Sequence, residues 1–423
     1  MRAEILSTGD EVRSGAIVDT NAAFIADALE SLGINVCRHT TVGDDVELIA
    51  ETLQTIATRA DIALITGGLG PTVDDVTAEA AARAAGTRLA EMPAALTQVE
   101  GYFRSRGLEM TLANRKQALL PEHAEVLENP DGSAPGFRVE IGACRLYFLP
   151  GVPREMKPML ARHVLPDIQH LRGAEDELHQ VAVVTTFGLT ESAVDEMLQD
   201  LTLKDDRLRI GLRVLFPEIH IRLYGRGDRP EIMAKSFEDL KDAIRKHLGQ
   251  RVLSTEGESL PEVLGKMLIK HRATLALAES CTGGLIAKQL TDVPGSSSFF
   301  LMSAVTYANE AKTALLGVAP ETLQRYGAVH EKTAREMAEG ARRVACADFA
   351  LSTTGIAGPD GGTDEKPVGT ICIGLATPEE TLSFRYTFPF GDRDLNRRIF
   401  TAMALDRLRQ YLMRRHSKKE SAE

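Results

Sequence analysis

The sequence predicts the α/β fold class, with two α/β domains of mainly parallel sheets joined by a small α+β middle domain. Short apolar runs alternate with segments of helical periodicity near both ends of the chain, an order typical of a parallel sheet covered by helices on both faces. Between them, two β-type runs separated by a two-residue turn indicate a hairpin. We place the domains at 1–170, 171–256 and 257–414, followed by a charged tail, 415–423, that we predict to be disordered.

The composition argues against several classes of protein. The net charge of −11, from 49 basic and 60 acidic residues, argues against a main role in binding nucleic acid. The five cysteines are scattered without a CxxC pair and the ten histidines include no HExxH motif, so neither a disulfide framework nor a structural zinc site is indicated. The N-terminus lacks a signal-peptide core, and no apolar run has membrane-spanning length. We therefore expect a cytoplasmic protein without nucleic-acid or membrane partners.

The first domain alternates strands and helices. Its predicted strands are 3–7, 35–39, 61–66 and 145–149, and its predicted helices are 21–32, 47–59 and 76–85. In sheets of this kind, ligands bind at the carboxyl ends of the strands. Two loops rich in Pro and Gly, 129–136 and 149–156, either face that cleft or serve only as turns.

The strongest motif of the first domain follows its third strand. Gly67, Gly68 and Gly70 let a phosphate approach the backbone, and the carboxylates of Asp74 and Asp75 can hold a metal ion. Neither the Walker spacing GxxxxGK[ST] nor the dinucleotide spacing GxGxxG is present. The alternative is that the glycines form a tight turn and one aspartate caps the next helix. The residues alone leave both readings open.

The middle domain follows a linker-like stretch at 172–179. Its predicted elements are a strand at 181–186, a helix at 191–201, a hairpin of strands 208–216 and 219–224, and a helix at 230–248. This order is typical of KH-type RNA binders, but the GxxG backbone clamp is missing and the segment is not basic. A spacer or dimerisation unit is the preferred interpretation.

The third domain again alternates strands and helices. The predicted helices are 261–271, 285–290, 309–317 and a long one from 393, and the predicted strands are 274–278, 299–307, 349–354 and 366–374. The stretch 278–284 joins a strand to a helix through a glycine turn and places the Ser280 hydroxyl beside free backbone amides. Such amides suit an oxyanion or a phosphate. The alternative is that Ser280 or Thr282 merely caps the helix.

A nucleophilic serine needs a base, and no histidine occupies a comparable glycine-flanked position. Tyr307 and Lys312 bracket a second strand-to-helix corner. A Ser–Lys arrangement requires a lysine that is neutral near pH 7. The pKa of that lysine must therefore lie about 3 units below its ordinary value of roughly 10.4. The alternative is a solvated Lys312 and a Tyr307 packed in the core. Cys281 is a rival nucleophile, but we expect it to point away from Ser280.

These motifs together resemble those of the CinA family (competence/damage-inducible protein A), and the resemblance covers nearly the whole chain. The C-terminal third resembles the family's nicotinamide-nucleotide amidase domain through AESCTGG (278–284), TDVPGSS (291–297), TYANEAK (306–312), TGIAGPDGGT (354–363) and KPVGT (366–370). The N-terminal part resembles its molybdopterin-binding-like domain through STGDE (7–11), DTNA (19–22), GGLGPTVDDVT (67–77), SAPGF (133–137) and LPGVPREM (149–156).

For the third domain, the resemblance implies hydrolysis of the carboxamide of nicotinamide mononucleotide, without a cofactor. Ser280 would attack, Lys312 with Tyr307 would move the proton, and amides around Thr282, Gly283 and Gly284 would stabilise the oxyanion. The further substrate-binding residues implied are Asn309, Thr354, Gly355, Gly358, Arg393 and Arg397.

For the first domain, the resemblance implies a metal-dependent ADP-ribose pyrophosphatase, and for the whole protein a homodimer. The implied substrate residues are Asp10, Asn21, Gly67, Gly68, Gly70, Pro71, Gly136 and Glu155. Asp74 and Asp75 would hold a divalent metal ion (Mg, Mn or Co), with K⁺ as a further candidate. Two alternatives remain: an amidase with a non-catalytic nucleotide- or pterin-binding first domain, and an interaction protein for competence or DNA damage.

The chain also departs from the family pattern. Met302 stands where a small residue is expected, His330 replaces the serine of GAVS, and Val12-Arg13-Ser14 replaces a leucine pair after GDE. We expect the first two to affect substrate choice rather than the reaction class.

Overall fold

The computed structural model describes residues 1–173, 178–199, 201 and 207–420. The chain forms two compact units, Met1–Val181 with Tyr224–Met233, and Ala182–Leu223 with Ala234–Glu423. The predicted fold class is confirmed, because α/β sheets lie near both ends of the chain and a small α+β sheet lies between them. The domain boundaries at 170, 256 and 414 remain predictions.

The first domain is built on a six-stranded sheet and a small two-stranded ribbon. Strands β1–β8 are Arg2–Thr8, Asn35–Val42, Ile62–Thr66, Leu89–Glu91, Leu119–Pro121, Glu125–Leu127, Gly136–Ile141 and Cys144–Leu149. The main sheet has the order β2-β1-β3-β8-β7-β6, and β4 pairs with β5. Strands β2, β1, β3 and β8 run parallel, whereas β7 and β6 add antiparallel pairs at one edge.

Helices cover both faces of this sheet. Helices α1–α8 are Asp10–Arg13, Thr20–Ser31, Val46–Ala57, Thr77–Ala84, Pro93–Ser105, Leu112–Arg115, Pro153–Met159 and Leu165–Arg172. Along β1, Ile5 packs with the core on the α2 side and Leu6 with the core on the α3 side, as period-2 alternation requires. The loop predicted at 149–156 is a short turn that leads into α7, with Pro153 at the first helical position.

The middle domain contains the predicted hairpin. Its elements are β9 Leu178–Phe187, α9 Glu191–Gln199, β10 Leu208–Leu215, β11 Glu218–Gly227, α10 Pro230–Leu248 and β12 Val252–Ser254. The strands form a sheet of order β10-β11-β9-β12. Residues 174–177 of the predicted linker, and residue 200 of the helix predicted at 191–201, lie outside the described residues.

The third domain has a mixed five-stranded sheet. Strands β13–β17 are Leu275–Glu279, Phe300–Val305, Phe349–Gly355, Thr370–Ala376 and Thr381–Thr387. Helices α11–α16 are Leu260–Lys270, Leu285–Thr291, Asn309–Leu316, Pro320–Tyr326, Glu331–Ala345 and Arg393–Glu420. The order is β14-β13-β15-β16-β17, with parallel pairs around β13 and antiparallel pairs around β16. The carboxyl ends of β13, β14 and β15 therefore share one edge.

The end of the chain differs from the prediction. α16 runs to Glu420, so residues 415–420 are helical rather than disordered, and residues 421–423 lie outside the described part. Residues 415–420 contain neither Gly nor Pro, so no helix-breaking residue ends α16 before Glu420. Arg415 also pairs with Glu379 at 2.8 Å. In the described part of the chain, no helix has both the length and the apolar character needed to cross a membrane.

Candidate active sites

Ser280 lies just past β13, at the edge where the three parallel strands end. Its N–H donates to the Thr353 carbonyl on β15 at 3.0 Å, and its carbonyl accepts from the Gly283 N–H at 3.1 Å. Gly283 and Gly284 have φ angles of +60° and +90°, which side chains disfavour, so this turn requires glycine. The tight turn holds Ser280 at the surface of the core, with 9% of the residue exposed.

Lys312, in the first turn of α13, approaches Ser280 from the neighbouring corner. Its Nζ lies 3.3 Å from Ser280 Oγ, 2.8 Å from the Thr306 carbonyl and 3.1 Å from the Tyr307 carbonyl. Burial lowers the pKa of Lys312, which is only 1% exposed, so the alternative of a solvated lysine is wrong. A neutral amine has two hydrogens and one lone pair. With both hydrogens on the two carbonyls, the lone pair is left for the Ser280 hydroxyl.

Tyr307 does not occupy the position that we predicted. Its side chain is 64% exposed, and its hydroxyl accepts a hydrogen bond from Arg393 Nη2 at 3.1 Å. Only the backbone carbonyl of Tyr307 contacts the Lys312 amine. The ring is therefore neither packed in the core nor part of a proton relay between Lys312 and Ser280 in this conformation.

A buried carboxylate that we did not predict, Glu279, caps helix α12. Its Oε2 accepts from the N–H groups of Gly284 at 2.9 Å and Ile286 at 3.2 Å, and its Oε1 accepts from the Ala287 N–H at 3.0 Å. The hydroxyls of Thr282 and Ser303 also donate to it. Of the amides expected to be free at this helix start, those of Gly284, Ile286 and Ala287 are therefore satisfied by Glu279. The sequence signal was a charged residue ending an apolar strand.

Two amides beside Ser280 remain candidates for an oxyanion. The Gly283 N–H is engaged by the Ser280 carbonyl and the Gly284 N–H by Glu279. Among the described residues, the N–H groups of Cys281 and Thr282 donate to no backbone carbonyl, although the Cys281 N–H lies beside its own thiol. Of the three residues predicted for this role, only Thr282 keeps an available amide, and the Cys281 amide joins it.

The Cys281 thiol is a poor nucleophile. Its residue is 5% exposed and the side chain belongs to the apolar core. Burial raises the pKa of the Cys281 thiol to about 12, so the thiolate is scarce at neutral pH. A methyl group on Gly355 would lie 3.2 Å from this sulfur and 2.5 Å from the Thr370 carbonyl, which explains a glycine at position 355.

The remaining residues predicted to bind the amidase substrate mostly bind the protein's own backbone. Arg397 donates from Nε and Nη2 to the Thr282 carbonyl, at 3.2 and 2.9 Å. Arg393 donates to the Gly358 carbonyl at 2.7 Å. The buried Thr354 hydroxyl donates to the Ala328 carbonyl at 2.7 Å. Asn309 is exposed at the start of α13. The structure thus clusters the two arginines at this edge and gives Thr354 a structural contact.

Met302 and His330 have structural roles. His330 Nδ1 accepts the Lys332 N–H at 3.0 Å and so caps α15, a task that serine also performs. Its ring stacks on Tyr326, with centroids 4.5 Å apart. Met302 packs against an apolar cluster around Ala276 and Met337.

A second candidate site is a cavity of about 550 Å³ in the first domain. It lies at the carboxyl ends of β1, β3 and β8, where a ligand is expected in such a sheet. Its lining includes most of the residues that we predicted for the nucleotide and the metal: Asn21, Gly67, Gly68, Gly70, Pro71, Asp74, Asp75 and Glu155.

Two predicted residues are not part of this lining. Asp10 points to solvent, with its side chain 66% exposed, and pairs with Arg13 at 3.1 Å. Gly136 lies within β7, where a methyl group would be 2.6 Å from the Phe148 carbonyl. Close packing between strands, rather than ligand contact, therefore requires glycine at position 136.

The glycine loop combines both interpretations that the sequence left open. A methyl group on Gly67 would lie 2.3 Å from the Thr8 carbonyl, so the tight turn needs glycine, yet Gly67 also lines the cavity. Asp75 accepts from the Thr72 N–H at 2.8 Å and the Thr72 hydroxyl at 2.5 Å, which makes it a turn-stabilising residue. Asp74 also faces the cavity.

The cavity carries carboxylates that we did not predict. Glu11 and Asp44 line it together with Asp74. Burial raises the pKa of Asp44, and the neighbouring carboxylates of Glu11, Asp10 and Asp74 add to this effect. Such oxygen donors suit a hard divalent ion. However, no group of three or more His, Cys, Asp or Glu side chains within the described ranges is assembled to hold a metal.

The sequence matches three family profiles in the order in which the domains occur. Residues 4–170 match the "Probable molybdopterin binding domain", residues 182–253 the "Damage-inducible protein CinA KH domain" and residues 257–412 the "CinA C-terminal domain". A "CinA-like protein" of Desulfosudis oleivorans is 48% identical over 98% of this chain and 100% of its own length. Another, of Desulforapulum autotrophicum, is 46% identical over 98% of this chain and 99% of its own length.

Solved structures of related proteins match shorter stretches. A CinA protein of Thermoplasma acidophilum is 34% identical, covers 38% of this chain and 95% of its own, and has a TM-score of 0.36. A CinA-superfamily protein of Escherichia coli is 32% identical, covers 39% of this chain and 98% of its own, and also has a TM-score of 0.36. From its three domain matches and the identity to relatives along nearly its whole length, the chain belongs to the CinA family.

Proposed function

We propose that the third domain hydrolyses the carboxamide of nicotinamide mononucleotide to nicotinic acid mononucleotide and ammonia. The observation that carries this proposal is the 3.3 Å approach of the buried Lys312 amine to the Ser280 hydroxyl. A serine beside a lysine of lowered pKa is an activated nucleophile for acyl transfer. The identity of the amide substrate comes from the resemblance to the CinA amidase domain, and the geometry supports the reaction class.

In the acylation step, neutral Lys312 takes the Ser280 proton as the serine oxygen bonds to the carboxamide carbon. The N–H groups of Cys281 and Thr282 would then stabilise the negative charge on the former carbonyl oxygen. The C–N bond breaks next, and Lys312 returns its proton to the departing nitrogen, which leaves as ammonia. An ester between Ser280 and the nucleotide's nicotinoyl group remains.

In the second step, Lys312 takes a proton from a water molecule that attacks this ester. The ester bond breaks, Lys312 returns the proton to Ser280, and nicotinic acid mononucleotide departs. One water molecule is consumed for each ammonia released.

Ammonia release from nicotinamide mononucleotide tests this proposal. We expect turnover by the wild type and a loss of at least about 10³-fold in Ser280→Ala, because the nucleophile is removed. Activity that survives in a folded Ser280→Ala variant would remove Ser280 from this role. A folded wild type without activity would reject the amidase itself.

We propose in addition that the first domain hydrolyses ADP-ribose, because its cavity joins a glycine loop to carboxylates at the carboxyl ends of three parallel strands. Backbone groups at Gly67 and Gly68 would lie against the diphosphate. Asp74 would contribute a carboxylate to a divalent ion (Mg, Mn or Co) whose remaining ligands would come from the diphosphate and water, and the charge of the ion would polarise a phosphoryl oxygen. The cavity volume lies in the usual range for a small-molecule site.

Asp74→Asn separates this activity from a binding module without catalysis. We expect the variant to lose metal-dependent release of AMP from ADP-ribose while Asp10→Asn, outside the cavity, keeps it. Binding of ADP-ribose without turnover by the wild type would instead support the non-catalytic alternative. Asp75→Asn is a poorer test, because Asp75 also holds the turn at Thr72.

Location and assembly are part of the same proposal. A cytoplasmic site of action agrees with five free cysteines. We propose a homodimer acting on small nucleotides, with K⁺ as a further candidate ion for the first domain and no cofactor for the amidase. The alternative role in competence or DNA damage would require DNA binding with steep salt dependence.

A further inference from the structure

The tip of the middle-domain hairpin, residues 216–218, packs on the third domain within the second compact unit. The ring of Phe216 meets that of Phe390 edge-on, with centroids 5.3 Å apart. The Arg398 guanidinium donates to the Phe216 carbonyl and lies 5.4 Å from the centre of its ring. The hairpin tip therefore contacts Phe390, which precedes α16, and Arg398, which lies near the start of that helix.

A further hydrogen bond fixes the direction of the hairpin tip. Glu218 Oε1 accepts from the N–H of Leu260, the first residue of α11, at 2.9 Å. The Glu218 side chain is only 14% exposed, so this contact is largely shielded from water. Phe216 contacts Arg398 on α16, whereas Glu218 contacts Leu260 on α11. The hairpin tip is therefore held at two points, which fixes its orientation.

The segment that the hairpin tip contacts, residues 390–398, also contacts the loop of the candidate active site. Arg397, next to Arg398, donates twice to the Thr282 carbonyl in the loop that follows Ser280. The fully buried Asn396 donates to the carbonyls of Phe390 at 2.8 Å and Ala357 at 3.0 Å. The first two turns of α16 thus contact the hairpin tip through Arg398 and the nucleophile loop through Arg397.

We propose that the hairpin tip is a positioning element of the amidase site. By fixing Phe390 and Arg398 it fixes the first two turns of α16, and through Arg397 it sets the position of the Thr282 peptide groups. This inference rests on the proposed amidase, since the Thr282 N–H is one of the two amides assigned to the oxyanion. Misplacement by about 1 Å of a group that positions the reaction costs about 10²-fold in rate.

Phe216→Ala and Arg398→Met in the full-length protein test the inference. Arg407→Met is the matched control, because Arg407 lies on the same helix and stacks in the same way on Phe384 and Tyr386, at 5.2 Å from each ring centre. Two experiments are made: steady-state kinetics, which gives kcat and KM for ammonia release from nicotinamide mononucleotide, and hydrogen–deuterium exchange of residues 280–284 and 390–398. All variants are compared well below their unfolding temperatures.

We expect about a tenfold lower kcat with KM changed less than twofold in both hairpin-tip variants, and faster exchange at 280–284. The double variant should lose little more than either single variant, because both break the same connection. Arg407→Met should leave both readouts near the wild type. Unchanged exchange at 280–284 in both hairpin-tip variants would overturn the inference, whether or not the wild type releases ammonia. Absence of ammonia release by the wild type would reject the amidase alone.

Discussion

Two buried side chains, Lys312 and Glu279, set the chemistry around Ser280. The fold surrounds Lys312 with hydrogen-bond acceptors and Glu279 with hydrogen-bond donors. In the described part of the chain, the Lys312 amine makes hydrogen bonds to uncharged groups, the carbonyls of Thr306 and Tyr307 and the Ser280 hydroxyl, and burial disfavours its positive charge. Glu279 meets five hydrogen-bond donors, which suits a carboxylate. The site therefore combines a lysine poised to act as a base with an acid that serves structure.

The pH dependence of the amidase follows from Lys312. Its pKa lies below the ordinary 10.5 and the neutral amine is the active form, so kcat/KM should rise with pH and level off below pH 10.5. The unfolded chain keeps this proton to higher pH, so the free energy of unfolding should also rise between the two pKa values. Rates measured from about pH 5 to about pH 10 check the first point. A flat profile, or a rising limb retained by Lys312→Arg, would contradict the assignment.

Cys281 provides a second test at this scale. Cys281→Ala should keep kcat/KM within about threefold of the wild type, because the buried thiol stays protonated and its backbone amide is unchanged. The small cavity should lower the free energy of unfolding by about 1 kcal/mol. Steady-state ammonia release and denaturant unfolding measure both effects. Loss of activity in a folded Cys281→Ala protein would make the sulfur a participant.

At the scale of elements, the turn after β13 and the start of α12 behave as one structure held by Glu279. This cap was not predictable from the pattern, because whether helix amides are free depends on where a neighbouring carboxylate points. Serine and threonine are the usual capping residues, and the sequence offered both in Ser280 and Thr282. Capping by Glu279 instead leaves the Ser280 hydroxyl facing Lys312.

Glu279→Gln should disturb both stability and catalysis. The glutamine presents an NH₂ group to backbone donors, so we expect the free energy of unfolding to fall by about 2–4 kcal/mol and kcat to fall with it. Glu336→Gln is the control, because Glu336 similarly accepts from the Ala319 N–H and the Thr322 hydroxyl beside α14. Thermal unfolding and ammonia release compare the two variants. Equal activity in both would show that the Glu279 cap is not specific to the site.

At the scale of the whole molecule, the sequence predicted most strands and helices that lead into the two sites. The apolar runs that end just before Ser280 and at Thr66 were strong signals because those strands are buried along their whole length. Helix α15 was missed, because its buried stripe consists largely of small residues (Ala, Gly and Thr) within a highly charged segment. The direction of the Tyr307 ring was also beyond prediction, since a residue in a loop follows no periodicity.

Detection of an acyl-enzyme would distinguish the Ser280–Lys312 mechanism from its rivals. Wild-type protein is mixed with nicotinamide mononucleotide, quenched in acid and examined by intact mass spectrometry and peptide mapping. We predict a nicotinoyl-nucleotide ester on the peptide that contains Ser280, absent from the Ser280→Ala variant. Turnover without a covalent adduct during the reaction, or an adduct on Cys281, would contradict the Ser280–Lys312 mechanism.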